Sequence, residues 1–171
     1  MPTTSKKMTV GMGSLQGFDI EMLSMPGHLI RRMHQSSQAI FYSLVCAAGY
    51  DLTSVQFAAL SVIAAHPGLD QATLANQIAF DRATTGGVID RLEAKGLVRR
   101  EIPKADRRTR NLYLEPAGRE TLEAVMPLAR QAQDVMLEGL SPSERHTLVK
   151  LLGKALAAVG DVNRKSDFPA R

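Results

Sequence analysis

Six basic residues crowd into Arg99–Arg110 (RREIPKADRRTR) against two acidic ones. The whole chain of 171 residues carries 21 Lys+Arg and 17 Asp+Glu, a formal charge of +4. This one segment therefore holds the entire excess, and the remainder is neutral. Cationic charge gathered on a short stretch suits an anionic polymer. Within it, Lys104, Arg107, Arg108 and Arg110 stand close together on a predicted turn. Planar guanidinium groups suit a narrow minor groove with its strong negative potential, and Asp106 is placed to orient one of them. Upstream, Arg82-Ala83-Thr84-Thr85 opens a predicted helix. Arginine can grip a guanine with two hydrogen bonds, and threonine can meet a base edge or a thymine methyl. Gln71, Thr73, Gly87 and Arg91 complete the candidate DNA-contacting set. Arg91, with Lys95, Arg99 and Arg100, suits phosphate contacts or surface ion pairs equally well.

A second cluster lies in MPGHLIRRMH, Met25–His34. His28 and Arg32 are four apart, hence on one face of a helix. An arginine beside a histidine is good chemistry for a carboxylate. The candidate ligand-binding residues are His28, Arg31, Arg32, His34 and the aromatic Phe57; the spacing leaves open which of Arg31 and Arg32 serves. Ordinary surface or interhelix polar residues are the competing reading.

Catalytic chemistry finds no such support. One cysteine excludes a disulfide framework and a multi-cysteine zinc site. The chain has no phosphate-cradling glycine loop, no H-E-x-x-H and no nucleophile elbow, and its four histidines are scattered apart from His28 and His34. No cofactor and no metal are expected. Cys46, among Leu44, Val45, Ala47 and Ala48, is expected in an apolar site, which makes a thiol inert. Redox sensing through Cys46 and non-specific architectural DNA binding stand as alternatives to sequence-specific regulation. No stretch approaches the roughly 20 apolar residues of a membrane span, and the expected location is the cytoplasm.

The elements that must position these residues follow from local signals. Residues 1–20 are Gly-, Ser- and Thr-rich and read as a flexible arm. A first helix starts near Pro26 and carries Leu29, Ile30, Met33, Ile40, Phe41, Leu44 and Val45 as an apolar stripe, with Gly49 as its stop. Thr53 and Gln56 form a capping box for a second helix bearing Phe57, Leu60 and Ile63, stopped by Pro67-Gly68. Asp70 caps a short third helix with Leu74, Ala75 and Ile78 inward. A tight break at Ala79-Phe80 leads to Asp81, cap of a fourth helix with Val88, Ile89 and Leu92 inward and Gly96 at its end. Leu97–Ile102 and Asn111–Leu114 read as a hairpin. A fifth helix spans about Pro116 to Glu138, with a kink expected at Pro127. Ser141-Pro142-Ser143-Glu144 opens a sixth that Gly160 is expected to end, leaving 161–171 as a tail. The order is a winged helix-turn-helix, about residues 52–115, inside a single mainly α domain spanning 21–160. Helices at about 25–48 and 116–160 flank it.

The stretch DRATTGGVIDRLEAKGLVRREIPKADRRTRNLYLEPAG, Asp81–Gly118, resembles the MarR family of bacterial winged-helix regulators. Its specific features are D-R-L-E-x-K-G-L-V at Asp90–Val98 and the aspartate–arginine–arginine wing at Asp106–Arg108. The resemblance covers roughly residues 25–160. It implies a homodimer joined through its first and last helices, bound to a pseudo-palindromic double-stranded operator. It also implies an effector, a small anionic aromatic held between the dimerisation helices and the DNA-binding lobe, whose binding relieves repression. Apolar stripes larger than one small core can bury independently call for a partner. Many members carry Thr-Arg where this chain has Gly86-Gly87, so a base contact from that arginine is not carried over. The two glycines suit either close helix packing or close approach to the DNA backbone.

Overall fold

The computed structural model describes residues 21–102 and 110–165, the side chains of 160–165 excepted. The expected arm (1–20), the hairpin tip with Lys104, Asp106, Arg107 and Arg108, and the last six residues lie outside it. Among the described residues the main elements follow in the order α1 (Pro26–Ala47), α2 (Ser54–Ala65), α3 (Gln71–Gln77), α4 (Arg82–Ala94), β1 (Val98–Glu101), β2 (Asn111–Leu114), α5 (Pro116–Met136) and α6 (Pro142–Lys165). The chain divides at Ser36 into two compact units.

In the first unit, residues 21–24 are helical and α1 begins at Pro26. Met22, Leu23, Met25, Leu29, Ile30 and Met33 are all exposed. The first half of the predicted stripe therefore buries nothing within the single chain.

In the second unit, the core is built from α2, α3, α4, the hairpin and α5, with Phe41 and Val45 from the end of α1. Leu60, Ile63, Leu74, Ile89, Leu92, Leu112 and Val125 are completely buried. Local rules account for the boundaries. Gly49 and Gly96 take positive φ, +85° and +68°, and end α1 and α4. Thr53 and Gln56 close both hydrogen bonds of the capping box at the start of α2. Ser141 and Glu144 are joined by two bonds at the start of α6, from the Ser141 amide (2.8 Å) and hydroxyl (2.6 Å) to the Glu144 carboxylate, which lower the carboxyl below its usual range.

Three expectations need correction. The α6 helix runs through Gly160 to Lys165, because a glycine lowers helix propensity without forcing a stop. The first hairpin strand begins at Val98 and stops at Glu101, one residue inside the predicted run at each end, while the second is Asn111–Leu114 as predicted. Gly68 and Leu69, read only as a helix stop, also pair with β2: Gly68 donates to the Leu112 carbonyl (2.8 Å) and Leu112 to the Leu69 carbonyl (3.0 Å). An Asp70–Asn111 bridge completes a minimal third strand. No described side chain of α6 is buried, and Val149, Leu151, Leu152, Leu156 and Val159 are exposed.

Candidate nucleic-acid interface

The two helices α3 and α4 start the same way. Asp70 accepts the amides of Ala72 (2.8 Å) and Thr73 (2.9 Å) and the Thr73 hydroxyl (2.7 Å). Asp81 accepts the Thr84 amide (2.8 Å) and the Thr84 hydroxyl (2.6 Å). These bonds favour the ionised carboxylates. Asp70 is held below the usual range chiefly by the Thr73 amide, and Asp81 chiefly by the Thr84 hydroxyl. The turn between the helices passes through Ala79 at φ +56°, an unusual conformation for a residue with a Cβ. Across it, the Gln71 side-chain amide donates to the Arg82 carbonyl at 3.2 Å and ties the two N-termini together.

This geometry sorts the candidate residues. Arg82, Ala83 and Thr84 are exposed at the start of α4, and Arg91 is exposed further along it. Thr85 is corrected: it is fully buried and its hydroxyl donates to the Asp81 carbonyl at 2.8 Å, so it cannot reach a base. Its position one turn after the cap places it on the inner face. Gln71 serves the junction between helices, and the Thr73 hydroxyl serves the cap. The glycine pair also separates. A Cβ on Gly86 would lie 3.1 Å from the Gln71 amide nitrogen, whereas one on Gly87 would meet nothing within 4 Å.

Of the four cations read as either phosphate contacts or ion pairs, three are ion pairs. Lys95 reaches the Asp51 carboxylate at 2.7 Å. Arg99 holds Glu101 (2.7 Å) and Glu115 (3.5 Å) and lies over the Tyr113 ring, 4.8 Å from its centroid. Tyr113 is its cross-strand partner. Arg100, only 15% exposed along its side chain, bridges Asp90 (2.5 Å) and Glu93 of α4. Its backbone amide adds a bond to Glu93 at 3.3 Å. The base of the wing is thereby fixed to the C-terminal half of α4. Apart from Arg99–Glu101, which lies within β1, these pairings join residues far apart in the sequence and so could not be read from it. Arg110 is exposed at the start of the second strand.

In the first unit, Arg31, Arg32 and His34 are exposed, and the His28 Nε2 is shielded from solvent without a hydrogen-bond partner among the described residues. Phe57, half-buried, packs against the core and on Phe41, ring centroids 5.5 Å apart. Cys46, expected in an apolar site, is exposed; the helix turns it away from buried Val45. Among the described residues no group of three His, Cys, Asp or Glu side chains could hold a metal ion. No described helix is long and apolar enough to cross a membrane.

Comparison with known proteins agrees with this architecture. The sequence pattern of the MarR family matches residues 52–109. The HTH-type transcriptional repressor NicR of Pseudomonas putida is 34% identical over 152 residues, covering 89% of this chain and 95% of NicR. The structure of Bordetella bronchiseptica BpsR, whose DNA binding is regulated by 6-hydroxynicotinic acid, is 34% identical and superposes with a TM-score of 0.71, covering 78% of this chain and 94% of BpsR. The transcriptional repressor CouR, solved on a 23-mer DNA duplex, is 28% identical with a TM-score of 0.72, over 80% of this chain and 95% of CouR. The capped helix pair, the hairpin behind it and this similarity along nearly the whole chain agree: the protein belongs to the MarR family of winged helix-turn-helix transcriptional regulators.

Proposed function

We propose that the protein is a homodimeric repressor that inserts the start of α4 into the major groove of a pseudo-palindromic operator. On this reading Arg82, Ala83 and Thr84 meet the bases, and Arg91 contacts phosphate. The tip residues Lys104, Arg107, Arg108 and Arg110 enter the minor groove, with Asp106 orienting one of them. Gln71 and Thr73 stiffen the helix pair. The observation that carries the reading is the exposed, doubly capped start of α4, where one arginine and two small residues stand free of the core. CouR on its duplex supports the DNA partner by similarity.

Dimerisation is proposed through the exposed apolar residues of α1 and α6. A groove of about 340 Å³ beside Leu140, Leu148 and Leu151 adds shape to the surface of α6. Isolated chains rarely leave such patches uncovered.

The effector is proposed to be a small aromatic carboxylate, bound with help from His28, Arg31 or Arg32, and His34. The regulation of BpsR by a heteroaromatic acid supports that chemistry, as does the shielded His28 nitrogen, which has no partner among the described residues. An acid favouring a dimer whose two recognition helices no longer match both half-sites would release the DNA by population shift.

Fluorescence anisotropy on DNA from upstream of the gene, at physiological salt with excess scrambled duplex, tests the reading. The panel of benzoate, a hydroxycinnamate and 6-hydroxynicotinate is added to the complex. Specific binders gain about 10³–10⁷ over random DNA, so tight binding reversed by one acid is expected. Tight binding that none of the acids reverses removes the effector assignment and keeps the regulator. No preference over scrambled DNA, upheld after selection from the whole genome, refutes sequence-specific regulation.

A further inference from the structure

Glycine in the middle of a helix lowers stability relative to alanine, because the freer backbone loses more entropy on folding. Two consecutive glycines interrupt α4, and the structure gives a reason for only one. Gly86 lies under the Gln71 side chain, where a Cβ would crowd the amide nitrogen at 3.1 Å. That amide makes the 3.2 Å bond joining α3 to α4. Gly87 has no such reason. A Cβ there would enter open space, and its φ is not among the positive values that favour glycine. Nothing in the described fold requires the residue to lack a side chain.

The surroundings of Gly87 indicate what does. Ala83 precedes it by four residues, so the two are neighbours on one face of α4. Ala83 and Thr84 are exposed. The Thr84 hydroxyl proton is committed to Asp81 at 2.6 Å, leaving its methyl as the carbon part of that surface. Thr85 is buried. Between Arg82 and Asp90 the helix therefore offers carbon in place of long polar side chains. Ala83 and Gly87 are separated by about 6 Å along the helix axis, just under two base steps of about 3.4 Å each.

We propose that Gly87 is the point where the recognition helix lies closest to the bases, and that Ala83, the Thr84 methyl and the bare Gly87 Cα read thymine methyl groups by contact. The thymine 5-methyl is the apolar mark that the major groove presents, and alanine and threonine methyl groups are its usual partners. This assignment rests on α4 being the DNA-facing helix. It makes Gly87 a specificity-determining residue, one that lowers the stability of the free protein in exchange for access to the groove floor.

The test uses the full chain and the duplex it selects from a randomised pool. Gly87→Ala should raise the melting temperature of the free protein by about 2–4 °C. The same variant should bind the selected duplex roughly tenfold more weakly, within the range that one base contact is worth. Replacing single thymines by deoxyuridine removes only the methyl group. At one or two positions in each half-site, it should weaken wild-type binding about fourfold, the equivalent of about 0.8 kcal/mol per buried methyl. Gly87→Ala should lose that sensitivity. A lower melting temperature in the variant would show that the fold needs the glycine, and would overturn the proposal. Unchanged affinity in the variant, or indifference of the wild type to deoxyuridine at every position, overturns it while leaving the DNA-binding reading intact. Failure to select any duplex refutes that reading, and the proposal with it.

Discussion

Substituting Gly118 by alanine probes the joint between the wing and the rest of the fold. Gly118 is buried in the first turn of α5, and a Cβ there would stand 2.0 Å from the Leu97 carbonyl oxygen and 2.9 Å from its carbon. Relief requires a displacement of at least an ångström. Leu97 cannot supply it alone: its amide is bound to the Leu92 carbonyl at 3.0 Å and its carbonyl accepts the Glu115 amide at 3.0 Å. The start of α5 must lift instead, and Leu122 and Val125, buried one and two turns on, resist that movement. Overpacking costs about 1–3 kcal/mol, and loss of the Glu115–Leu97 bond inside the joint about 1–3 kcal/mol. The better helix propensity of alanine returns about 1 kcal/mol. The net loss is about 3 kcal/mol, roughly 6–12 °C in melting temperature for a chain of this size. Thermal unfolding followed by circular dichroism at fixed protein concentration measures it. An unchanged or higher melting temperature refutes the reasoning, because it would mean that the joint has slack where the contact distance leaves none.

Other perturbations separate holding from reading. Arg100→Met removes both bridges to α4; since Asp90 and Glu93 stay 67% and 41% exposed, the stability loss should be about 1–2 kcal/mol. A double-mutant cycle with Asp90→Asn should show coupling above about 0.5 kcal/mol, and additive effects would remove the clamp from the account. Arg82→Ala should relax preference at one base position by about 1–3 kcal/mol, measured on a panel of single-base operator variants. Arg108→Ala should weaken binding to every sequence alike and reduce the slope of log affinity against log salt by about one. The caps predict an acid response. Asp70 and Asp81 titrate below the ordinary value of 3.8 in the folded chain, so their contribution is present above that pH and lost as pH falls through the lower folded values. The urea midpoint should therefore drop less between pH 5 and 3 in an Asp70→Asn, Asp81→Asn double variant than in the wild type.

The legible parts of the fold were those decided within a few residues. Caps at Thr53, Asp70 and Asp81, stops at Gly49 and Gly96, and the inward Val88-Ile89-Leu92 set all follow from local bonds, φ preference or helical spacing. The rest depended on comparing elements. Thr85 reads like Thr84 in the sequence, and only the phase of α4 against the core turns one inward and leaves the other out. Gly160 reads like Gly49, yet Gly49 adopts a positive φ while the helix simply continues past Gly160. Leu29, Ile30 and Met33 read like core but are exposed, because an apolar stripe has the same period whether or not the chain's own interior covers it.

The charge count shows most clearly what sequence arithmetic leaves undecided. Six cations in Arg99–Arg110 made the segment look uniformly basic, but Arg99 and Arg100 face four carboxylates, Glu101, Glu115, Asp90 and Glu93. Two of those carboxylates come from D-R-L-E at Asp90–Glu93, three residues apart on α4, with Arg100 supplied by the strand that follows. The spacing of that motif is thus the condition for one guanidinium to grip two successive turns of α4. Its chemistry is positional, fixing where the wing leaves the helix. The cations proposed to meet DNA are others: Arg82 and Arg91, both exposed on α4, with Lys104, Arg107, Arg108 and Arg110 of the sequence between the two strands. On the proposed reading, affinity and geometry are carried by different arginines, and exchanging Arg100 for lysine, which keeps the charge but loses the fork, should disturb operator binding more than the equal exchange at Arg91.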